Sequence, residues 1–103
     1  MTETVYDIIL ETPLGPRRGS ADVRVKDGNV EGTLHVLGRL SRFCGSVDAS
    51  GALRLRGALL TLVRRIDFAA EGRMDGEHIE LTLHGARDVL RVTGTRKGEW
   101  EHE

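Results

Sequence analysis

The chain has 103 residues, 30% of them charged, and its formal net charge at pH 7 is −1. This length fits one domain with a single core, and the near-zero net charge provides no general attraction to nucleic acid or to an anionic membrane. We therefore expect a single domain over residues 1–103, with no nucleic-acid partner and no membrane partner.

The first residues show no basic segment followed by an apolar one, so they do not resemble a signal peptide. No apolar run approaches the length of a transmembrane helix. Cys44 is the single cysteine, which excludes an internal disulfide. These features predict a cytoplasmic protein, and we expect a bacterial one.

Apolar and polar residues alternate along most of the chain. Val23 and Val25, for example, stand at odd-numbered positions, while Asp22 and Arg24 stand at even-numbered ones, and residues that share this parity share a face of the strand. A period of two places successive side chains on opposite faces of a strand. The strands are predicted over residues 4–12, 17–26, 29–37, 40–48, 52–61, 65–74, 77–85 and 88–96.

Short turn signals separate these runs. Asp27-Gly28 and Asp75-Gly76 predict type I′ hairpin turns, and Gly38-Arg39 predicts a type II′ turn. Ala49-Ser50-Gly51 predicts a three-residue loop that ends in a left-handed glycine. Because no connection is long enough for a crossover, the strands are predicted to run up and down as an antiparallel meander.

Each two-residue turn also predicts which residues lie opposite each other across the hairpin. The predicted pairs are Val25–Val30, Leu34–Phe43, Ala70–Leu81 and Glu71–Glu80. The first three join apolar residues on one face, whereas the last brings two like charges together on the other face.

The predicted fold class is all-β, an eight-stranded antiparallel up-and-down meander barrel, with a two-sheet β-sandwich as the alternative. Closure into a barrel removes the unpaired edges that an open sheet would expose. Glycines on the apolar parity inside the strands favour strong bending of the sheet. They are Gly19, Gly32, Gly45, Gly57, Gly72 and Gly94.

Glycine also occupies the second position of three similar strand segments, Glu31-Gly32-Thr33-Leu34, Cys44-Gly45-Ser46-Val47 and Thr93-Gly94-Thr95-Arg96. With the hairpin series, they make the chain resemble the small meander barrels of the streptavidin-like and lipocalin-like (calycin) architecture. The Gly-X-Trp motif of lipocalins and the interior tryptophans of a biotin pocket are absent. The resemblance therefore implies the barrel and the small apolar ligands such barrels often hold, and it transfers no site residue.

The predicted interior is almost entirely apolar. Tyr6, Phe43 and Phe68 are its aromatic side chains, and we assign them to a candidate ligand pocket. The alternative is a packed core, because eight strands enclose a space that side chains either just fill or leave open for one small ligand. No convergent set of ionisable groups faces this interior, so we expect no enzyme, no catalytic residue and no cofactor.

Alternate turns of a meander lie at the same end of the barrel, and this separates the charges. The turns after the first, third, fifth and seventh strands carry arginines, whereas the other turns carry aspartates. The assigned ligand contacts at the basic end are Arg18, Arg39, Arg65 and Arg87. One interpretation is that they pair with the carboxylate or phosphate head of an amphiphile whose tail enters the barrel. The other is that they are solvated turn charges.

Two functions remain open from the sequence. One is non-enzymatic binding of a small apolar or anionic amphiphilic ligand. The other is a solid-core structural or interaction module that acts as a homo-oligomer or binds another protein. His78, Glu80 and His84 share one outward face, which is more typical of a solvated strand than of a metal site, so no metal is predicted.

An apolar patch is predicted on the outer face of the first and last strands. It is formed by Val5, Ile9 and Val89, and it predicts a homodimer through these strands. Residues 97–103 are predicted to be a frayed tail. Within that tail, Trp100 has two interpretations, one that it folds back on the acidic end and the other that it docks on a partner.

Overall fold

The computed structural model describes residues 2–97. Within this range the regular elements are all β-strands. In chain order they are β1 (Thr2–Thr12), β2 (Gly15–Lys26), β3 (Asn29–Val36), β4 (Arg39–Val47), β5 (Ala52–Leu60), β6 (Arg65–Met74), β7 (His78–His84) and β8 (Val89–Arg96).

Each strand pairs antiparallel with the next, and β8 pairs with β1 to close a barrel. The closing register sets Ile8 opposite Gly94 and Leu10 opposite Val92. Closure gives both terminal strands a hydrogen-bonded neighbour on each side, as a barrel requires. The meander barrel is therefore confirmed, and the two-sheet sandwich does not form.

The predicted register is confirmed in the β2–β3 hairpin, where Val25 lies opposite Val30. In the β3–β4 hairpin it is wrong by two residues, because Leu34 lies opposite Ser41 instead of Phe43. The turn there consists of Leu37 and Gly38, both with positive φ (60° and 71°), as a type I′ turn requires. Left-handed backbone costs a leucine roughly 1–2 kcal/mol. Packing of the half-buried Leu37 side chain against the core offsets that strain.

The β6–β7 register is also wrong by two residues, since Ala70 lies opposite Leu83. The Asp75 carboxylate accepts the backbone N–H groups of Glu77 and His78 at 2.7 and 2.8 Å, and these bonds lower the pKa of Asp75. These two hydrogen bonds to the Asp75 side chain stabilise a different turn, and the expected type I′ conformation does not form.

This register removes the predicted like-charge pair on the outer face. Glu71 lies opposite Thr82, and Glu80 lies opposite Arg73. The two glutamates are therefore on different rungs, and Glu80 gains a cationic neighbour across the hairpin.

The core lies inside the barrel, on the apolar parity that the sequence predicted. Nineteen hydrophobic residues are buried there, and Val25, Val47 and Ile66 are half-buried at its margins. The barrel is flattened, with principal extents of 36 × 32 × 17 Å. Ser41 lies on the inward parity of β4, and among residues 2–97 it is the buried side chain that is polar.

Candidate binding groove

The two ends of the barrel carry opposite charge. The turns after β1, β3, β5 and β7 lie together at one end, since the sheet is a meander. This arginine end is defined by Arg17, Arg18, Arg39, Arg64, Arg65 and Arg87. The opposite, aspartate end is defined by Asp27, Asp48, Asp75 and Glu77.

The four assigned arginines are spread around the arginine end. Arg18 is exposed on β2 opposite Ile9, and Arg39 begins β4 opposite Val36. Arg87 lies in the turn between β7 and β8. Arg65 begins β6 and donates its Nε–H to the Asp67 carboxylate at 2.9 Å. The structure therefore places these arginines on different hairpins and does not bring them to one pocket.

Tyr6 lies at the other end of the barrel from these arginines. Its side chain is fully buried, and its hydroxyl donates to the backbone carbonyl of Asp75 at 2.8 Å. Burial raises the pKa of Tyr6, and the nearby Asp75 charge raises it further. The hydroxyl is thus occupied within the fold.

Phe43 and Phe68 pack across two inward glycines and are 5% and 7% exposed. A Cβ added at Gly32 would lie 2.5 Å from Cζ of Phe43, and one added at Gly57 would lie 3.1 Å from Cζ of Phe68. Each ring therefore fills the space that a side chain on the neighbouring strand would occupy. Both rings also reach a groove on the outer wall.

This outer groove has a volume of about 960 Å³ and is formed by strands β2 to β6. Small outward side chains lie along it, namely Thr33, Cys44 and Ala58. Leu40 and Leu60 provide an apolar section near the arginine end. Its cationic side chains are Arg24, Arg42, Arg56 and Arg65.

The groove forms where β4 and β5 separate. Their paired residues run from Val47–Leu53 to Phe43–Gly57 and stop there, although both strands continue toward the arginine end. One side-chain hydrogen bond spans the separated part, with the Leu60 backbone N–H donating to Ser41 Oγ at 2.9 Å. A buried N–H needs a partner, so Ser41 satisfies the group that the ladder leaves unpaired.

The groove arginines differ in how their charge is balanced. Arg24 lies 2.9 Å from the Asp22 carboxylate, and Arg65 lies 2.9 Å from the Asp67 carboxylate. Arg42 and Arg56, both exposed, form no ion pair with any residue in the range 2–97. These two guanidinium groups therefore have free donors that face the groove.

A second cleft of about 760 Å³ continues the groove toward the aspartate end. The two clefts share Arg24, Glu31, Cys44 and Arg56. Cys44 is a free thiol and lies opposite Glu31 on one side and Arg56 on the other. The two clefts therefore form one continuous depression on the outer face of β3, β4 and β5.

Sequence reasoning assigned Phe43, Phe68 and Arg65 to a ligand site, and all three line the outer groove. It missed Arg42 and Arg56 as candidates, although the alternation along their strands puts both on the outward face. The signal was available, because neighbouring strands of a meander bring outward residues side by side. The separation of β4 from β5 had no sequence signal.

Replacing Ser41 with alanine is expected to destabilise the barrel by about 1–3 kcal/mol, because the Leu60 N–H loses its partner near the core. Denaturant unfolding of wild type and Ser41→Ala measures the change. Ser46→Ala is the matched control, since Ser46 is an exposed serine on the same strand. Equal stability of the two variants would contradict this role for Ser41.

The remaining predicted surfaces are placed as follows. Val5 and Ile9 are 38% and 36% exposed on β1, and Val89 is 65% exposed at the start of β8. A homodimer through them stays a prediction. Lys97 donates its backbone N–H to the Val5 carbonyl. Trp100 and the rest of the predicted tail, 98–103, lie outside the described residues.

No group of three or more metal-ligating side chains forms among residues 2–97. Over the same range the chain contains no helix long and apolar enough to cross a membrane.

The fold and the groove define the class to which this structure belongs, a closed eight-stranded up-and-down β-barrel that is consistent with calycin-like architecture. No family model matches the chain, and no curated protein or solved structure is significantly similar to it.

Proposed function

We propose that this protein is a non-enzymatic binding protein whose ligand is a small anionic amphiphile held in the outer groove. The observation that carries the proposal is the pair Arg42 and Arg56, whose charges have no acidic partner within residues 2–97. Guanidinium groups bind carboxylates and phosphates through paired hydrogen bonds. The resemblance to lipocalin-like and streptavidin-like barrels, which often hold small apolar ligands, supports a binding role.

The apolar section of the groove supports a ligand with an apolar part. Leu40 is 61% exposed there, and Leu60 and the edges of the two phenylalanine rings lie nearby. Small-molecule sites commonly combine an apolar lining with a few placed polar groups. A ligand lying along the groove would meet arginines at one part and aliphatic side chains at the other.

An outer location is also supported by the packing of the interior. Leu10, Leu34, Leu59 and Leu83 are each at most 2% exposed, and they fill the barrel toward the arginine end. A tail entering the barrel would have to displace them, at the energetic cost of opening a packed core. The outer groove accepts a ligand without moving the core.

The lining chemistry supports binding without catalysis. The ionisable lining consists of the four arginines, Glu31 and Cys44. Arginine remains protonated, so it supplies charge and hydrogen-bond donors but does not act as a base. The lining contains no histidine that could serve as a proton shuttle.

The test is fluorescence titration with anilinonaphthalene sulfonate, an anionic aromatic probe, followed by competition with dodecyl phosphate. We expect saturable binding that dodecyl phosphate displaces and inorganic phosphate alone displaces weakly. Arg42→Gln and Arg56→Gln should each weaken probe binding roughly tenfold, because each removes charged hydrogen bonds. Both side chains are exposed, so the fold should be unaffected.

Two control variants locate the site. Arg73→Gln/Arg91→Gln removes two positive charges, one more than either groove variant, from exposed positions outside the groove, and it should leave affinity unchanged. Arg18→Gln/Arg39→Gln/Arg87→Gln changes the arginine end. If only this second variant weakens binding, the ligand is held at the barrel end and the groove assignment is wrong.

The solid-core interaction module is the second candidate function. The observation that favours it is a concentration of exposed aliphatic side chains at the arginine end. No binding of either probe by the wild type would reject the groove proposal and favour this alternative.

A further inference from the structure

The exposed apolar side chains of this barrel are concentrated at one end. Seven large hydrophobic residues are exposed in the described part of the chain, and two of them, Val5 and Ile9, lie on β1. The other five lie on the arginine-end turns or beside them: Leu14, Leu40, Leu62, Val63 and Val89. Single exposed hydrophobics are ordinary. Five at one end, distributed over its four hairpins, make that end the more apolar of the two in the described part of the chain.

Three of these side chains are at the tips of ordered turns. Leu14, Leu62 and Val63 are 85%, 78% and 88% exposed. Thr12 Oγ1 accepts the Leu14 N–H at 3.2 Å and donates to the Gly15 carbonyl at 2.7 Å. The tips are thus held away from the core by their own turns.

The turn between β5 and β6 is fixed in the same way. Thr61 Oγ1 accepts the N–H groups of Val63 and Arg64 at 3.3 and 3.0 Å. Arg64 also bridges to Asp88 at 3.1 Å, which joins this turn to the one between β7 and β8. These bonds preorganise the apolar tips, which lowers the entropy lost when they bind.

The aspartate end has a different composition. Its turns contain Asp27-Gly28, Ala49-Ser50-Gly51 and Gly76-Glu77, and its exposed tips bear no large aliphatic side chain. Two of the six arginines at the other end are paired with carboxylates, Arg64 with Asp88 and Arg65 with Asp67. The other four form no ion pair within residues 2–97. The ends therefore differ in apolar exposure as well as in charge.

We infer that the arginine end docks on an anionic lipid surface, with the aliphatic tips entering the headgroup boundary and the arginines pairing with lipid phosphates. An anionic bilayer surface offers both chemistries at once, an apolar interior beneath a layer of negative charge. This inference departs from the expectation of no membrane partner, which rested on a net charge that averages the two ends.

Charge complementarity favours this occupant over a second copy of the chain. Two arginine ends would repel each other across an isologous interface. The described turns of the aspartate end offer opposite charge but no large exposed aliphatic side chain to contact the tips. The described tips also carry no aromatic side chain on which a nucleic-acid base could stack.

The experiment is co-sedimentation of the full chain with vesicles of phosphatidylcholine alone and of an equal mixture of phosphatidylcholine and phosphatidylglycerol. We expect binding to the mixture and little to phosphatidylcholine. Arg17→Gln/Arg18→Gln/Arg39→Gln should weaken partitioning on the order of 100-fold, given about a fivefold contribution from each arginine near the surface. Leu14→Ser/Leu62→Ser/Val63→Ser should also weaken it, although charge is unchanged.

The matched control is Lys26→Gln/Arg73→Gln/Lys97→Gln, which removes three cationic charges at or near the aspartate end. It should partition like the wild type. Failure to bind the mixture, unchanged binding of the serine variant, or equal loss in the control would each overturn the inference. Self-association that the serine variant abolishes, without vesicle binding, would assign the surface to a second copy instead.

Discussion

Replacing Gly45 with alanine is expected to destabilise the barrel by about 3 kcal/mol or more, among the largest single-substitution effects in the chain. A Cβ at this position would overlap the backbone carbonyl oxygen of Arg54 and would lie 2.8 Å from Cα of Leu55. Both atoms belong to the backbone of β5, so the clash cannot be relieved by turning a side chain. The strands must separate, which weakens the β4–β5 ladder next to the outer groove.

Gly76→Ala is the matched control for this prediction. Nothing lies within 4 Å of a Cβ added at Gly76, and its φ lies outside the left-handed region. Alanine there should be neutral or slightly stabilising, because it restricts the unfolded chain. Denaturant unfolding of both variants gives the comparison, and a Gly45→Ala barrel as stable as Gly76→Ala would contradict the close approach of the strands.

Replacing Tyr6 with leucine is expected to cost about 3 kcal/mol or more, since a fully buried aromatic ring and its hydrogen bond are both lost. Tyr6→Phe separates the two effects. It keeps the ring and removes the bond to the Asp75 carbonyl, and it should cost about 1–2 kcal/mol. Thermal or denaturant unfolding measures both variants.

The same residue predicts a pH dependence. Burial raises the pKa of Tyr6 above 10.0, so the folded state holds its proton to a higher pH than the unfolded state. The contribution of the protonated Tyr6 hydroxyl to the free energy of unfolding is therefore intact below pH 10.0 and declines as the pH rises past that value. Tyr6→Phe should lack this part of the decline.

Tyr6 is the chain's single tyrosine, so tyrosinate absorbance reports its ionisation directly. A midpoint at or below 10.0 in the folded protein would contradict the buried, hydrogen-bonded position.

The alternation of Val23, Val25 and Val30 was enough to predict the strands and the inward face. Because successive side chains point to opposite faces of a strand, burying the apolar residues fixes which face of each strand points into the barrel. Closure was also predictable, because eight strands joined by seven short turns leave two edge strands, and pairing these with each other removes both edges. The core of the structure is the one that parity predicts.

Two hairpin registers were not predictable from turn dipeptides. At Leu37-Gly38 the side chain of Leu37 packs against the core and holds a conformation that leucine rarely adopts. At Asp75 the carboxylate caps two backbone N–H groups and lengthens the turn. In both places a side-chain contact outweighed the backbone preference of the dipeptide.

The sequence by itself determined the barrel, its apolar interior and the separation of arginine and aspartate turns, because these follow from the side-chain period and the order of the turns. Only the tertiary structure decided where β4 leaves β5, how Ser41 closes that gap, and which arginines lack a carboxylate. Those features depend on distances between strands, which no local pattern encodes. The structure likewise decided that the exposed aliphatic tips share the arginine end, since exposure is a property of the folded chain.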